Sequence, residues 1–269
     1  MAENGVAIWN NVLATTLKIP HVAVDRTAFL KKELAVYVDE KKLDELETKR
    51  PWDLVNDKVL EKIAKSCIKS TTFKASGASF LAGLPGGFAL AASIPADMVQ
   101  YYYHTIVLAQ KISYLYGFPN LVDEDGNIAD SAVDLLTIYL GVTLGAGVAG
   151  QGLEMVAKQL AKTAPSKIAA KALTKTFYYP IIKKIAPWFG VQMTKQTFGK
   201  GIGKILPVFG GFISGGLTFA SFKIGGNRLL KEMKSRKDLF VNADIVSENK
   251  SAFTDAEVVE ESDSINSEG

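Results

Sequence analysis

A single cysteine and two histidines are all that this chain of 269 residues holds of the sulfur and imidazole ligands that zinc sites are usually built on. Cys67 alone closes no intramolecular disulfide, and no Cys/His cluster exists to bind zinc, so neither a metal nor a cofactor is expected. Cys67 lies on the apolar side of a periodic stretch, which reads as a buried structural thiol. The opening "MAENGVAIWNNVLATTL" has no basic segment ahead of an apolar run, so an unsecreted, cytoplasmic protein is expected. Clean period-two alternation between hairpin turns is missing too, and with it the signature of a sheet. No phosphate loop, nucleophile elbow or dinucleotide fingerprint occurs. "GKGIGK" at 199–204 follows no predicted strand and lacks the Ser/Thr that a Walker lysine precedes, so it reads as a turn.

What is present is apolar and unevenly charged. With glycine counted and tyrosine left out, roughly 53% of the residues are apolar, slightly above the soluble norm of about 45–50%. The net charge of +3 conceals a basic body and an acidic end. Lys158 to Lys237 carries 16 Lys and Arg against Glu232 alone, whereas Asp244 to Gly269 has eight acidic residues and one lysine. That tail has little to bury against the entropy of ordering, and disorder is expected over 241–269, as a solvated tail or a strap over the basic face.

The rest reads as all-α: a single bundle-like helical domain over 51–240, with an N-terminal helical extension at 1–50. "RPWDLVNDKVLEKIAKSCIKSTTF" puts Val55, Val59, Ile63 and Cys67 four apart on one helical face. "DRTAFLKKELAVYVDEKKLDELETKR" reads as a charged helix that runs until Pro51. Three segments carry no charge beyond their edges: 75–96, 135–153 and 204–223. Each nears the roughly 20 residues of a membrane span, yet small residues and internal prolines make close-packed helices the better reading. Gly141 and Gly145, and Gly211 and Gly215, are four apart, where two helix backbones can approach.

A helix is expected to start near Pro95, capped by Ser93, and to stop at Gly117. On it Asp97, Gln100 and His104 share a face, so Asp97 and His104 are the candidate pair for a hydrolase; a buried polar network is the plainer reading. Tyr101, Tyr102 and Tyr103 point three ways, which suits an interfacial helix. Asp123, Asp125, Asn127 and Asp134 mimic a calcium loop, but Ile128 stands where its glycine belongs, so the stretch reads as an acidic connector.

Lys167, Lys171 and Lys175 form a ridge four residues apart, and Lys183 and Lys184 continue it beside Trp188. A lysine stripe with aromatics at its break suits an anionic bilayer. Lysine outnumbers arginine 14 to 2 from Lys158 to Lys237, so sequence-specific nucleic-acid recognition is not expected; a merely solvated basic surface is the alternative.

The blocks "GLPGGFALAASIPADMVQYYYHTIVLAQKISYLYGFP" and "YYPIIKKIAPWFGVQMTKQTFGKGIGKILPVFGGFISGGLTFASFK" resemble, in order and separation, the bacterial EcsC family in its Gram-positive form. The resemblance covers about residues 50 to 236. The family is named for a protein encoded beside an ABC transporter; the resemblance implies a helical, membrane-associated protein and brings no catalytic residue. The expected role is therefore a non-enzymatic protein that meets the inner leaflet or a membrane protein and regulates transport or envelope stress. The alternatives are a hydrolase built on Asp97 and His104, and a pore-forming protein whose glycine-rich hairpins insert.

Overall fold

The computed structural model describes residues 2–76, 96–123, 125–129, 132–161, 182–185, 187, 189 and 215–241. These are 78% helical with no strand, as expected, apart from one isolated bridge between Val122 and Ile128. In chain order the helices are α1 (Ala2–Leu17), α2 (Arg26–Leu34), α3 (Glu40–Leu43), a 3-10 turn (Asp44–Glu47), α4 (Pro51–Leu54) and α5 (Asp57–Ser76). They continue as α6 (Ala96–Leu115), α7 (Val133–Leu144), α8 (Gly147–Ala161) and α9 (Gly215–Lys234).

The hub is α6, which packs against α1, α2, α5, α7 and α9. Its sequence has apolar or small residues on every side, so all its faces must find partners. Tyr101, Tyr102, Ile106, Leu108, Ile112 and Tyr114 are buried on different sides of it. Gln110 is fully buried and fully used. Its Nε2 donates to the carbonyls of Val22 (2.7 Å) and Ile106 (3.2 Å), while Oε1 accepts from the Val24 amide (3.0 Å). One amide side chain thus ties the α1–α2 loop to the hub, and no buried polar atom on it is left to cost free energy.

Residues 2–50, set apart in the sequence as an extension, share this core. Trp9 meets Tyr102 edge-on at 5.4 Å and stacks on Phe189 at 3.8 Å. Arg26 donates from Nε to the Phe118 carbonyl (3.3 Å) and from Nη1 to that of Leu46 (3.4 Å).

Two glycines stop helices by the same geometry. Gly117 (φ +75°) and Gly145 (φ +87°) are left-handed, a region that costs a side chain. After α6, the Phe118 amide donates to the Ser113 carbonyl (3.1 Å) and that of Gly117 to Tyr114 (3.3 Å). After α7, Ala146 donates to Gly141 (2.8 Å) and Gly145 to Val142 (3.1 Å), so both ends are Schellman motifs. The stop at Gly117 is as expected.

Two expected helices are divided. The stretch 135–153 turns back on itself at Gly145, so Gly141 and Gly145 do not line one helix face. The left-handed turn makes α7 and α8 a hairpin, in which a Cβ on Gly141 would lie 2.8 Å from that of Ala149. The stretch 25–50 breaks after Leu34, and Arg50, ahead of Pro51, is extended as residues before proline tend to be. Val55 is likewise extended, between α4 and α5, while Leu60, Ile63 and Cys67 form the buried face expected of α5.

The close helix contacts expected from small residues centre on α9. A Cβ on Gly225 would come within 2.9 Å of the Thr143 carbonyl oxygen on α7. One on Gly226 would sit 3.0 Å from Ile68 on α5 and 3.2 Å from Leu108 on α6. Arg228 then reaches the end of α7, donating from Nη1 to the Thr143 carbonyl at 3.0 Å. Gly215 only opens α9, and Gly211 lies outside the described residues.

Gly225→Ala should lower the urea midpoint by an amount equivalent to about 1–3 kcal/mol, since backbone at 2.9 Å cannot yield to a methyl group. Gly150→Ala in α8, where a Cβ would have its nearest neighbour at an ordinary 3.5 Å, should raise it by up to about 1 kcal/mol through helix propensity. Equal effects from the two substitutions would refute the close approach at Gly225.

Candidate functional site

α5 and α9 run antiparallel. Lys234 at the end of α9 and Lys237 just beyond it reach back to Glu61 and Asp57 at the start of α5, while Phe219 near the start of α9 meets Phe73 near the end of α5. Between them lies a groove of about 390 Å³. α5 contributes Lys65, Ile68, Lys69, Thr72 and Phe73; α9 contributes Phe219, Lys223 and Asn227. These positions recur every three or four residues along each helix, so each set is one helical ridge facing the other.

The chemistry of the groove is lopsided. Ile68, Phe73 and Phe219 make its apolar part, the two rings edge to face at 5.6 Å, and Phe73 is 58% exposed. The Thr72 hydroxyl donates to the Ile68 carbonyl (2.7 Å) and the Asn227 amide to that of Lys223 (2.7 Å), so each has a bond within its own helix. Three ammonium groups remain. Lys65 pairs with Glu61 at 2.6 Å, and Lys234 shares that carboxylate. Hydrogen bonds from Lys234 and Lys65 pull the Glu61 carboxyl down to about 2. Among the described residues, Lys69 and Lys223 take part in no ion pair and no acidic side chain lines the groove.

The location adds to this. α5 ends at Ser76, α6 begins at Ala96 and α9 begins at Gly215, and aromatic contacts join the three helices within about two turns of those ends. Phe222 packs on Tyr101 at 4.6 Å and on His104 at 6.4 Å, as Phe219 packs on Phe73. The uncharged stretches 75–96 and 204–223 therefore join the bundle at its basic, aromatic end. Most of both stretches, 77–95 and 204–214, lies outside the described residues.

Asp97 and His104, the candidate pair of the hydrolase reading, are both on α6, seven residues and about 10 Å apart along its axis. The Asp97 side chain lies outside the described residues. His104 is 8% exposed, edge-on to Tyr103 and Phe222. Burial, with a smaller contribution from Lys74, lowers its pKa to about 4, so at neutral pH it is an uncharged core side chain. Cys67 is buried, and burial pushes its thiol up to about 11, the inert structural role expected of it.

Of the expected lysine stripe, Lys183 and Lys184 are exposed on a helical stretch at 182–185 that is anchored by the fully buried Ile185. Lys167, Lys171, Lys175 and Trp188 lie outside the described residues. Tyr101 and Tyr102 are buried, and Tyr103 alone is half-exposed, its hydroxyl donating to the His21 carbonyl at 3.4 Å. In the acidic connector, Asp123 Oδ1 accepts the amides of Asp125 (3.1 Å) and Asn127 (2.9 Å), an Asx turn. No acidic or histidine cluster fit for a metal occurs among the described residues.

The groove residues Lys65, Lys69, Phe73 and Lys223 were not singled out by the sequence. One signal was there: Phe73 breaks the polar face of α5, eight residues after Lys65 and four after Lys69. No family model matches this chain, and no curated protein or solved structure matches it.

His104 supplies a test by pH. Its pKa is about 4 when folded against 6.5 for the free side chain, so the unfolded chain binds more protons between those values. Its contribution to stability should therefore fall as pH drops from about 6.5 towards 4. His104→Gln should flatten that part of a stability–pH curve, and an unchanged slope in the variant would refute the buried neutral imidazole.

Proposed function

We propose that this chain is a membrane-associated helical protein without enzymatic activity of its own, held at the cytoplasmic face of a cell membrane by anionic lipid or a membrane protein. The observation that carries the reading is the basic, aromatic end of the bundle. Lys65, Lys69 and Lys223 surround an exposed Phe73 where two uncharged, glycine-rich stretches join the helices. Each lysine near an anionic surface contributes about 1 kcal/mol, and an exposed phenylalanine adds apolar burial at the headgroup boundary.

Two further observations support it. Lys183 and Lys184 are exposed within the chain's strongly basic stretch from Lys158 to Lys237. No helix among the described residues is long and apolar enough to cross a membrane, so the reading rests on surface contact. The resemblance to the EcsC family points the same way, and membership of that family, with a role in regulating a transporter or an envelope stress response, belongs to the same proposal.

Co-sedimentation with vesicles tests it. The protein should pellet with phosphatidylglycerol vesicles and not with phosphatidylcholine. Pelleting should drop at least tenfold between about 0.1 M and about 1 M salt, as the screening length shrinks from about 10 Å to about 3 Å. Binding equal on neutral vesicles, or none on either, would sink the proposal. A trapped dye should stay inside; leakage would favour the pore-forming alternative instead.

A further inference from the structure

We infer that the groove between α5 and α9 binds a single-chain amphiphile with an acidic head, the chain lying on Ile68, Phe73 and Phe219 and the head between Lys69 and Lys223. This rests on the membrane reading above and names the molecule that the site would take.

Charge is the first support. Lys69 on α5 and Lys223 on α9 both line the groove, outside every ion pair among the described residues, and no carboxylate among those residues lines the walls. An anion that enters the groove therefore meets cationic side chains from both helices and no opposing charge among the described residues. The lower end of the same helix pair shows the contrast, since there Lys234 and Lys237 are met by Glu61 and Asp57. Polar alternatives are few as well: Thr72 spends its one donor, and Asn227 one of its two, on carbonyls of their own helices.

Shape is the second. From Lys69, beside the head, to Phe73 is four residues of helix, about 6 Å. Three bonds of an extended chain advance about 3.5 Å, so roughly the first five carbon–carbon bonds lie along the groove and the rest of a ten-carbon chain runs on past Phe73. Its 390 Å³ is at the small end of the usual range for ligand sites, about 300–1,000 Å³. The Phe73 ring, 58% exposed beside Phe219, is apolar surface that a chain would cover.

The test is calorimetric titration of the full chain with decanoate below its micelle concentration, with monodecanoylglycerol and acetate as neutral and chainless comparisons. Decanoate should bind saturably with one site, and each comparison at least tenfold more weakly. Lys69→Glu with Lys223→Glu should weaken decanoate at least tenfold, and the milder Lys69→Gln with Lys223→Gln should do so with the helical circular dichroism unchanged. No saturable binding, equal affinity for monodecanoylglycerol, or wild-type affinity in the glutamine variant would overturn the inference. Vesicle pelleting on the same samples separates the two proposals. Pelleting without decanoate binding overturns the groove assignment alone, whereas decanoate binding without pelleting upholds the groove and overturns the membrane reading.

Discussion

The bundle depends on how closely the backbone of α9 approaches three other helices at Gly225 and Gly226. Added β-carbons there would meet Thr143 at 2.9 Å and Ile68 and Leu108 at 3.0 and 3.2 Å. Glycine in a helix interior costs about 1 kcal/mol of propensity, and the contact with α5, α6 and α7 at once offsets it. Because those helices span chain positions 57 to 144, this one crossing joins the last described helix to the whole core. Arg228, one turn on, completes it by donating to a carbonyl that the end of α7 leaves unpaired.

The groove follows from that crossing. With Gly226 set against Ile68, the antiparallel register of α9 on α5 has no freedom left, and Phe219 falls opposite Phe73 with Lys223 near Lys69. The ion pairs at the far end agree with the same register. Groups used for stability and groups left without an opposite charge are thus segregated along one helix pair. The same packing brings Phe222 over His104, which makes the imidazole a neutral part of the core.

Much of the helical character was legible. The four-residue period through Ile63 and Cys67 marked the buried face of α5, because amphipathic burial depends only on local spacing. Gly117 was readable as a stop for the same local reason. The hairpin at Gly145 was not, since a glycine inside an uncharged run serves equally as a packing face or a left-handed stop. Which role it takes depends on whether Ala149 and Arg228 are there to receive the turned chain. Gly225 and Gly226 escaped notice because they sit among charged residues, where no apolar run draws attention to them.

By itself, then, the sequence determined the helical class and the inert cysteine, which follow from composition and spacing along the chain. The tertiary structure alone decided which lysines stand together. Lys65 and Lys69 are more than 150 positions from Lys223 in the chain, and only the glycine-permitted register of α9 against α5 makes them the walls of one groove. Charge proximity between distant segments is a property of packing, which no local pattern encodes.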